Sequence, residues 1–542
     1  MATEYGHRLP VLLAACWALL IAVSCTFVER GIDRTAGGPN VPADTVIDMR
    51  QEGGAPTRTI KPPTLPPGPL KVTVTDAILM CLENNRALVV QRLNPSIVQT
   101  FEDQERAAFD PAIDADVSGG RVKGERQARS GSQTEDYTTD TAEGVISLAQ
   151  YFPTGTAVAL EAGTRMSDSS LYDDPFYSTR LGMTVTQALL RGYGTDVNLV
   201  RLRQARLDTR LSEFELRGFT EALVAEVEAT CWDYALARRQ IEIVEESLKV
   251  ARQQRDETRE LIAVGRLARA ELPAVQAEVA AQEQALIEAR ANKEAIRLRL
   301  LRLLNPAGPD IWQREVEVIH QPTLPDITLE AVEQYVAVSN RMRPVLNQAR
   351  LQLLRGDLEL VQTRNGLLPL MDLFITLGKS GYANSFGDSI DRINEDSYDA
   401  LAGVRFQYPF FNRDAKAAHR RAQLSRDQAQ DALDNLSQLV EVDVRTAYIE
   451  VDRTKQQIAA TSVTRKFNEE KLRTETEKLR VGKSISFLVA QAQRDLLVSR
   501  IAEVQALANY LKALIDLYRQ DGSLLARRGI SAPGREPVSL SK

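Results

Sequence analysis

Two stretches of this chain can be little else than very long helices. No proline occurs from Phe176 to Leu272, nor from Phe410 to Ala532, and in the second stretch Gly482 stands alone until Gly522. Read as helices, Asp196–Ala263 and Arg413–Arg480 each run 68 residues, about 100 Å at 1.5 Å per residue. Each ends at a matching tight turn, Val264-Gly265-Arg266 and Val481-Gly482-Lys483, with the two glycines 217 positions apart. Each turn leads into a return helix, Glu271–Leu304 and Ser486–Leu517. On the second return helix, Leu497, Ile501, Val504, Ala508, Leu511, Ile515 and Tyr518 recur in steps of four and three, with Arg500, Glu503 and Asn509 off that line. This 3.5-residue period is a coiled-coil seam, and it requires a packing neighbour along the whole helix.

The remainder of each unit also recurs. Thr75-Asp76-Ala77 leads to Asn84-Asn85, and Glu330-Ala331 leads to Ser339-Asn340; each opens a helix that ends before a proline, Pro111 or Pro369. Short alternating strands follow. In the first unit they are Ile113–Ser118, Val145–Phe152, Ala157–Ala162 and Leu181–Gln187; in the second they are Met371–Leu377 and Val404–Tyr408. Met371, Leu373, Ile375 and Leu377 share one face, while Asp372, Phe374 and Thr376 share the other. That is the period of two expected of a barrel strand. The extra segment Tyr151–Arg165 in the first unit is expected to form another hairpin. The chain therefore reads as an internal duplication of helix, strands, long helix, turn and helix. The fold class is mainly α with a β membrane part.

The N-terminus reads as a secretory leader: Arg8 is followed by the 16 apolar-rich residues Leu9–Ser24, and small residues precede Cys25. Cys25 is the expected lipidation site, with Cys16 as the alternative. From Arg30 to Leu70 the chain carries eight prolines, which implies an extended strap. The expected divisions are a signal peptide (1–24), a lipid-anchored linker (25–71), a first repeat (72–306), an inter-repeat linker (307–326), a second repeat (327–525) and a C-terminal tail (526–542). Cys81 and Cys231 fall in helical patterns and are expected in the core. A net charge of −6 argues against a nucleic-acid partner, and the three histidines show no metal-ligand spacing. No internal apolar run approaches the roughly 20 residues of a spanning helix, so any membrane crossing must be made by strands.

Counted as two strand pairs per chain, four strands cannot close a membrane barrel, and an open edge in lipid leaves backbone groups unpaired. Several copies of the chain must complete both the sheet and the helical seams, and a cyclic ring achieves this. In that context six segments resemble the TolC-type outer-membrane efflux protein family from about Val72 to Ser523: VTDAILMCLENN, ERAAFDPAIDADVS, MTVTQALLRGYG, LIAVGRLARAEL, VRFQYPFFNRDAKA and VGKSISFLVAQAQRDLL. The resemblance implies a homotrimer with a trimeric α-barrel and a shared 12-stranded β-barrel in the bacterial outer membrane, with a long periplasmic extension. It also implies a passive exit duct for drugs, toxic compounds or polypeptides, served by a periplasmic adaptor and an inner-membrane pump, with no cofactor and no catalysis.

The same resemblance makes Val264, Gly265, Arg266, Val481, Gly482 and Lys483 the expected adaptor-docking tips. It makes Glu271, Leu488 and Gln491 the expected pore constriction, the last two departing from the family's acids. Gly482-Lys483-Ser484 imitates the end of a phosphate-binding loop, but Glu477 stands where that motif needs glycine and a helix precedes it. Trp232 and Tyr234 read as helix packing, and Arg252–Glu260 as a solvated face. A secreted coiled-coil scaffold without a pore is the competing reading; it has no use for alternating strands.

Overall fold

The computed structural model describes residues 68–127, 131, 133–308, 311–319 and 327–540. The leader, Cys16, Cys25 and the linker up to Pro67 lie outside them. In chain order, β1 (Leu70–Val72), α1 (Val74–Asn84) and α2 (Arg86–Arg106) precede four strands: β2 (Ala112–Gln127), β3 (Thr134–Tyr151), β4 (Thr156–Ser169) and β5 (Phe176–Ala188). The long helix α3 (Val200–Ala263), its return helix α4 (Leu272–Leu304) and β6 (Val316–Val318) follow. The second unit repeats the plan with α5 (Val332–Met342), α6 (Pro344–Gly366), β7 (Leu370–Ala383), a short α7 (Phe386–Asp391), β8 (Tyr398–Gln407), α8 (Arg413–Arg480) and α9 (Ser486–Gln520).

Local chemistry sets the helix limits. Thr73 and Asp76 form a reciprocal capping box at α1, with Thr73 Oγ1 accepting from Asp76 N–H at 3.1 Å and Asp76 Oδ2 accepting from Thr73 N–H at 3.0 Å. The sequence suggested one helix up to Pro111. Instead Asn85 takes an extended backbone, its side chain accepts from the Ala87 and Leu88 amides, and its Nδ2 donates to the Leu303 carbonyl at 2.9 Å. The second unit breaks at the same place, where Arg343 precedes Pro344 at the first helical position. α8 has the expected limits, whereas α3 starts at Val200, because Leu199 interrupts the helix after the separate turn Thr195–Asn198.

The main core lies partway along the long helices, where α1, β1 and β6 pack against α3, α4 and α9. β1 and β6 pair in parallel, Leu70 opposite Val316 and Val72 opposite Val318. β6 falls in the stretch expected to be linker; three residues are too few to display a period. The Tyr234 hydroxyl donates to the Val316 carbonyl at 2.6 Å, and Trp232 packs against the same core. Cys81 and Cys231 are buried free thiols, each pushed up to about 12 by burial, so neither presents a thiolate.

The C-terminal tail is part of this body. Its Ile530, Ala532 and Val538 are buried, as are Leu524 and Leu525 just before it. Arg217 Nη1 donates to the Gly534 carbonyl at 3.2 Å, and the Val538 amide donates to Asn347 Oδ1 at 2.8 Å, so the tail straps α3 to α6. Arg217 also reaches Glu221 Oε1 with Nε at 3.1 Å. Burial pushes the Glu221 carboxyl up to about 7, against the pull of Arg217. A carboxyl raised above its ordinary value of 4.5 favours folding fully below that value, and the contribution is lost as pH rises through about 7. The loss of thermal midpoint between pH 5 and pH 8 is therefore expected to be smaller in Glu221→Gln than in the unsubstituted protein, whatever the substitution costs by leaving Arg217 without its carboxylate. An equal loss in both would remove the titration from this site.

The six long strands form one antiparallel sheet in the order β2-β3-β4-β5-β7-β8, leaving the outer edges of β2 and β8 unpaired within the chain. The Tyr151–Arg165 segment is the β3–β4 turn with the start of β4, as expected. Six strands are two more per chain than a 12-stranded barrel of three copies can take. β2 and β3 extend much further than their apolar portions, through polar residues that a hydrophobic period does not register.

Candidate functional site

The sheet separates its side chains by chemistry. One face carries Ile113, Ala115 and Val117 of β2, and Leu148 and Ile146 of β3. It continues through Val158 and Leu160 of β4, Val185, Met183 and Leu181 of β5, Leu373, Ile375 and Leu377 of β7, and Val404 and Ala402 of β8. The pairing register places them side by side. Val117 is 91% exposed, and Ile113, Ile146 and Val404 are also exposed. An apolar band across six strands has no place in water. The opposite face carries Asp114, Asp116, Glu143, Glu161, Arg165, Arg180, Thr184, Thr376, Asp399 and Arg405. There Arg180 Nη2 meets Asp399 Oδ2 at 2.7 Å across Gly378, where a Cβ would collide with both side chains. Exposed aromatics stand on the same face at both ends of the band, Tyr398 far from the helices and Phe406 beside them, with Tyr408, Phe410 and Phe411 following Phe406. An exposed apolar band on one face and polar side chains on the other is the pattern of a membrane barrel wall. Among the described residues no helix is long and apolar enough to cross a membrane.

The helical end carries the two turns. In each, the glycine adopts a left-handed backbone, φ +76° at Gly265 and +73° at Gly482. The residue after it closes the same long hydrogen bond: Arg266 N–H to Leu261 O and Lys483 N–H to Lys478 O, both 2.8 Å. This is the Schellman stop, repeated at corresponding positions of the duplication. Val264 and Val481, immediately before the glycines, are each 68% exposed, and Arg266 and Lys483 are exposed beside them. Both tips thus present an apolar side chain and a cation. Open space surrounds both glycines. The cost of Gly265→Ala or Gly482→Ala is therefore backbone strain of about 1 kcal/mol, expected as a small fall in thermal midpoint for each variant and a sum for the double variant.

Residues 339–523 match the family model described as outer membrane efflux protein. Over that segment the chain is similar to outer membrane efflux proteins. Solved structures share the fold over most of their length. A membrane protein from Pseudomonas aeruginosa is 19% identical with a TM-score of 0.63, covering 83% of this chain and 93% of its own. The CmeC outer membrane channel of Campylobacter jejuni is 14% identical with a TM-score of 0.62, covering 83% and 86%. The outer membrane protein VceC of Vibrio cholerae is 15% identical with a TM-score of 0.60, covering 83% and 96%. No curated protein sequence matches the chain.

The three residues expected at a constriction have different surroundings. Leu488 and Gln491 are exposed on the first turns of α9. Glu271 instead crosses between the hairpins: its Oε2 accepts from the Ser486 amide at 3.1 Å, capping the N-terminus of α9. Deeper along the same pair, Arg494 Nη1 reaches the buried Glu278 at 3.2 Å. Sequence reasoning missed both ties, because partners more than 200 positions apart leave no local pattern. Among the described residues no group of three or more His, Cys, Asp or Glu could hold a metal ion.

Proposed function

We propose that three copies of the chain assemble into the outer-membrane exit duct of a tripartite export system. The sheets close a barrel in the membrane, and the helices, about 100 Å long, close a tube through the periplasm. The single observation that supports this most strongly is the six-stranded sheet with an exposed apolar band across one face and two open edges. Such a sheet is stable only in lipid and only when its edges are paired. A secreted scaffold has no use for that surface. Lipid on Cys25 would add a second hold on the membrane.

The tips formed by Val264–Arg266 and Val481–Lys483 dock a periplasmic adaptor, which in turn engages an inner-membrane pump. Glu271, Leu488 and Gln491 line the mouth, with Glu271 fixed as a helix cap. The test is reconstitution in planar bilayers. Discrete ion-conducting steps are expected, with cation selectivity reduced by Glu271→Gln. A detergent-solubilised single-chain particle without conductance overturns the duct, and unchanged selectivity in Glu271→Gln overturns the role of that residue.

A further inference from the structure

We infer that each chain contributes six strands to the shared barrel, so that three copies close it with eighteen, at a seam between β8 of one copy and β2 of the next. This rests on the ring of copies proposed above but does not follow from it. A ring could equally exclude the β2–β3 hairpin and close with four strands from each chain.

Three observations place the hairpin in the wall. First, β2 and β3 continue both faces of the sheet without a break. Ile113, Ala115, Val117, Leu148 and Ile146 extend the apolar face, while Asp114, Asp116 and Glu143 extend the polar one. Held out of the membrane, this hairpin would leave its own apolar side in water. Second, strand polarity fits. β2 leads away from the helices and β8 returns toward them, so β8 of one copy meets β2 of the next antiparallel, as every other neighbouring pair in the sheet does. Third, the two edges carry opposite unpaired charges on the polar face. Arg405 of β8, and Asp114 and Asp116 of β2, make no ion pair among the described residues. Pairing across the seam would satisfy them.

The register that joins these charges also has the right geometry for a barrel. Asp114 shares a rung with Asp399, through Ser147, Glu161, Gly182 and Gly378. Setting Arg405 opposite Asp114 of the next copy staggers the seam by the six residues from Asp399 to Arg405; setting it opposite Asp116 staggers it by eight. Around three seams the stagger is roughly 18 to 24 residues. With strands about 4.8 Å apart and a rise of about 3.4 Å per residue, eighteen strands would tilt by roughly 35–43°, within the range of membrane barrels.

The direction of the stagger agrees. On ascending β7 the carbonyl of Met371, an apolar-face residue, accepts from Leu189 on the β5 side at 2.7 Å, whereas Ser380 of the polar face donates toward β8, to Ser397, at 3.1 Å. For L-residues this places β5 to the right and β8 to the left, seen from the apolar face. In a right-handed coil the perpendicular to the strands climbs leftward, so β8 meets the next β2 above its own rung, as the pairing of charges requires. Barrel diameter grows about linearly with strand number. The lumen is then about one and a half times as wide as that of twelve strands, room for bulkier cargo.

The test is oxidative cross-linking of the full chain in detergent. Val117→Cys combined with Ala402→Cys, or with Val404→Cys, places thiols across the inferred seam in the two registers. Leu160→Cys with Val404→Cys reports a seam at β4 instead. One of the Val117 pairs is expected to give a ladder of two and three chains, at least tenfold above the Leu160 pair. Electron cryomicroscopy is expected to resolve eighteen strands around three copies. A ladder from the Leu160 pair, a three-copy particle with twelve strands, or a three-copy particle with no ladder overturns the six-strand wall while leaving the duct. A single-copy particle overturns the duct itself.

Discussion

Replacing Arg528 by alanine is expected to destabilise the protein by about 3 kcal/mol, among the largest effects of any single surface-to-core substitution in the chain. Arg528 Nε and Nη2 each donate to a Glu228 carboxylate oxygen at 2.7 Å. The two partners are unequal: Glu228 is 1% exposed, whereas the Arg528 side chain remains 38% exposed. Removing the arginine therefore leaves a carboxylate in the core with neither water nor a counter-ion, and that desolvation, rather than lost attraction, sets the size of the effect. The same pair anchors the tail to α3, so the strap through Ile530 and Val538 should loosen with it. Thermal unfolding of the detergent-solubilised protein is expected to show a midpoint lower by several degrees. Glu228→Gln in the Arg528→Ala background should recover much of the loss, since an amide tolerates burial better than an unpaired charge. A midpoint unmoved by Arg528→Ala would mean that the tail is not held this way.

The second large effect distinguishes the two faces of the wall. Ile375 and Thr376 are neighbours on β7 that point to opposite sides of the sheet: Ile375 lies between Val185 and Ala402 on the apolar face, and Thr376 between Thr184 and Leu401 on the other. An arginine on the lipid face near mid-membrane costs about 2–4 kcal/mol, and in the proposed ring of three copies that cost recurs three times. Ile375→Arg is expected to reduce membrane-assembled protein severely, measured as heat-modifiable oligomer in outer membranes. Thr376→Arg should assemble at near wild-type levels and alter ion selectivity, because it adds a positive charge to the lumen. Equal damage from both would contradict the assignment of the faces.

Much of this architecture was written locally. The absence of proline over both long stretches, together with Gly265 and Gly482, marked the helical hairpins to within a few residues, because backbone geometry at proline and glycine does not depend on distant partners. The alternation around Met371–Leu377 marked a strand for the same reason, since period two is a property of the chain itself. Where identification failed, the missing information was non-local. Nothing local marks Glu271 as a helix cap, because the amide it accepts from lies 215 residues later. The 307–326 stretch reads as linker because β6 becomes a strand only by pairing with β1. The tail reads as an appendage because the groove that receives Val538 is formed by α3 and α6 together.

The amino-acid order by itself therefore determined the duplicated plan, the helix lengths, the turns and the existence of a two-faced sheet, all of which follow from constraints acting within a few residues. Tertiary structure alone decided that all six strands join one sheet, which edges remain open, and which buried charges join the tail and the two hairpins to the body. Each of these depends on backbone and side-chain groups finding partners across the fold, and pairing energies of that kind leave no periodic trace along the chain.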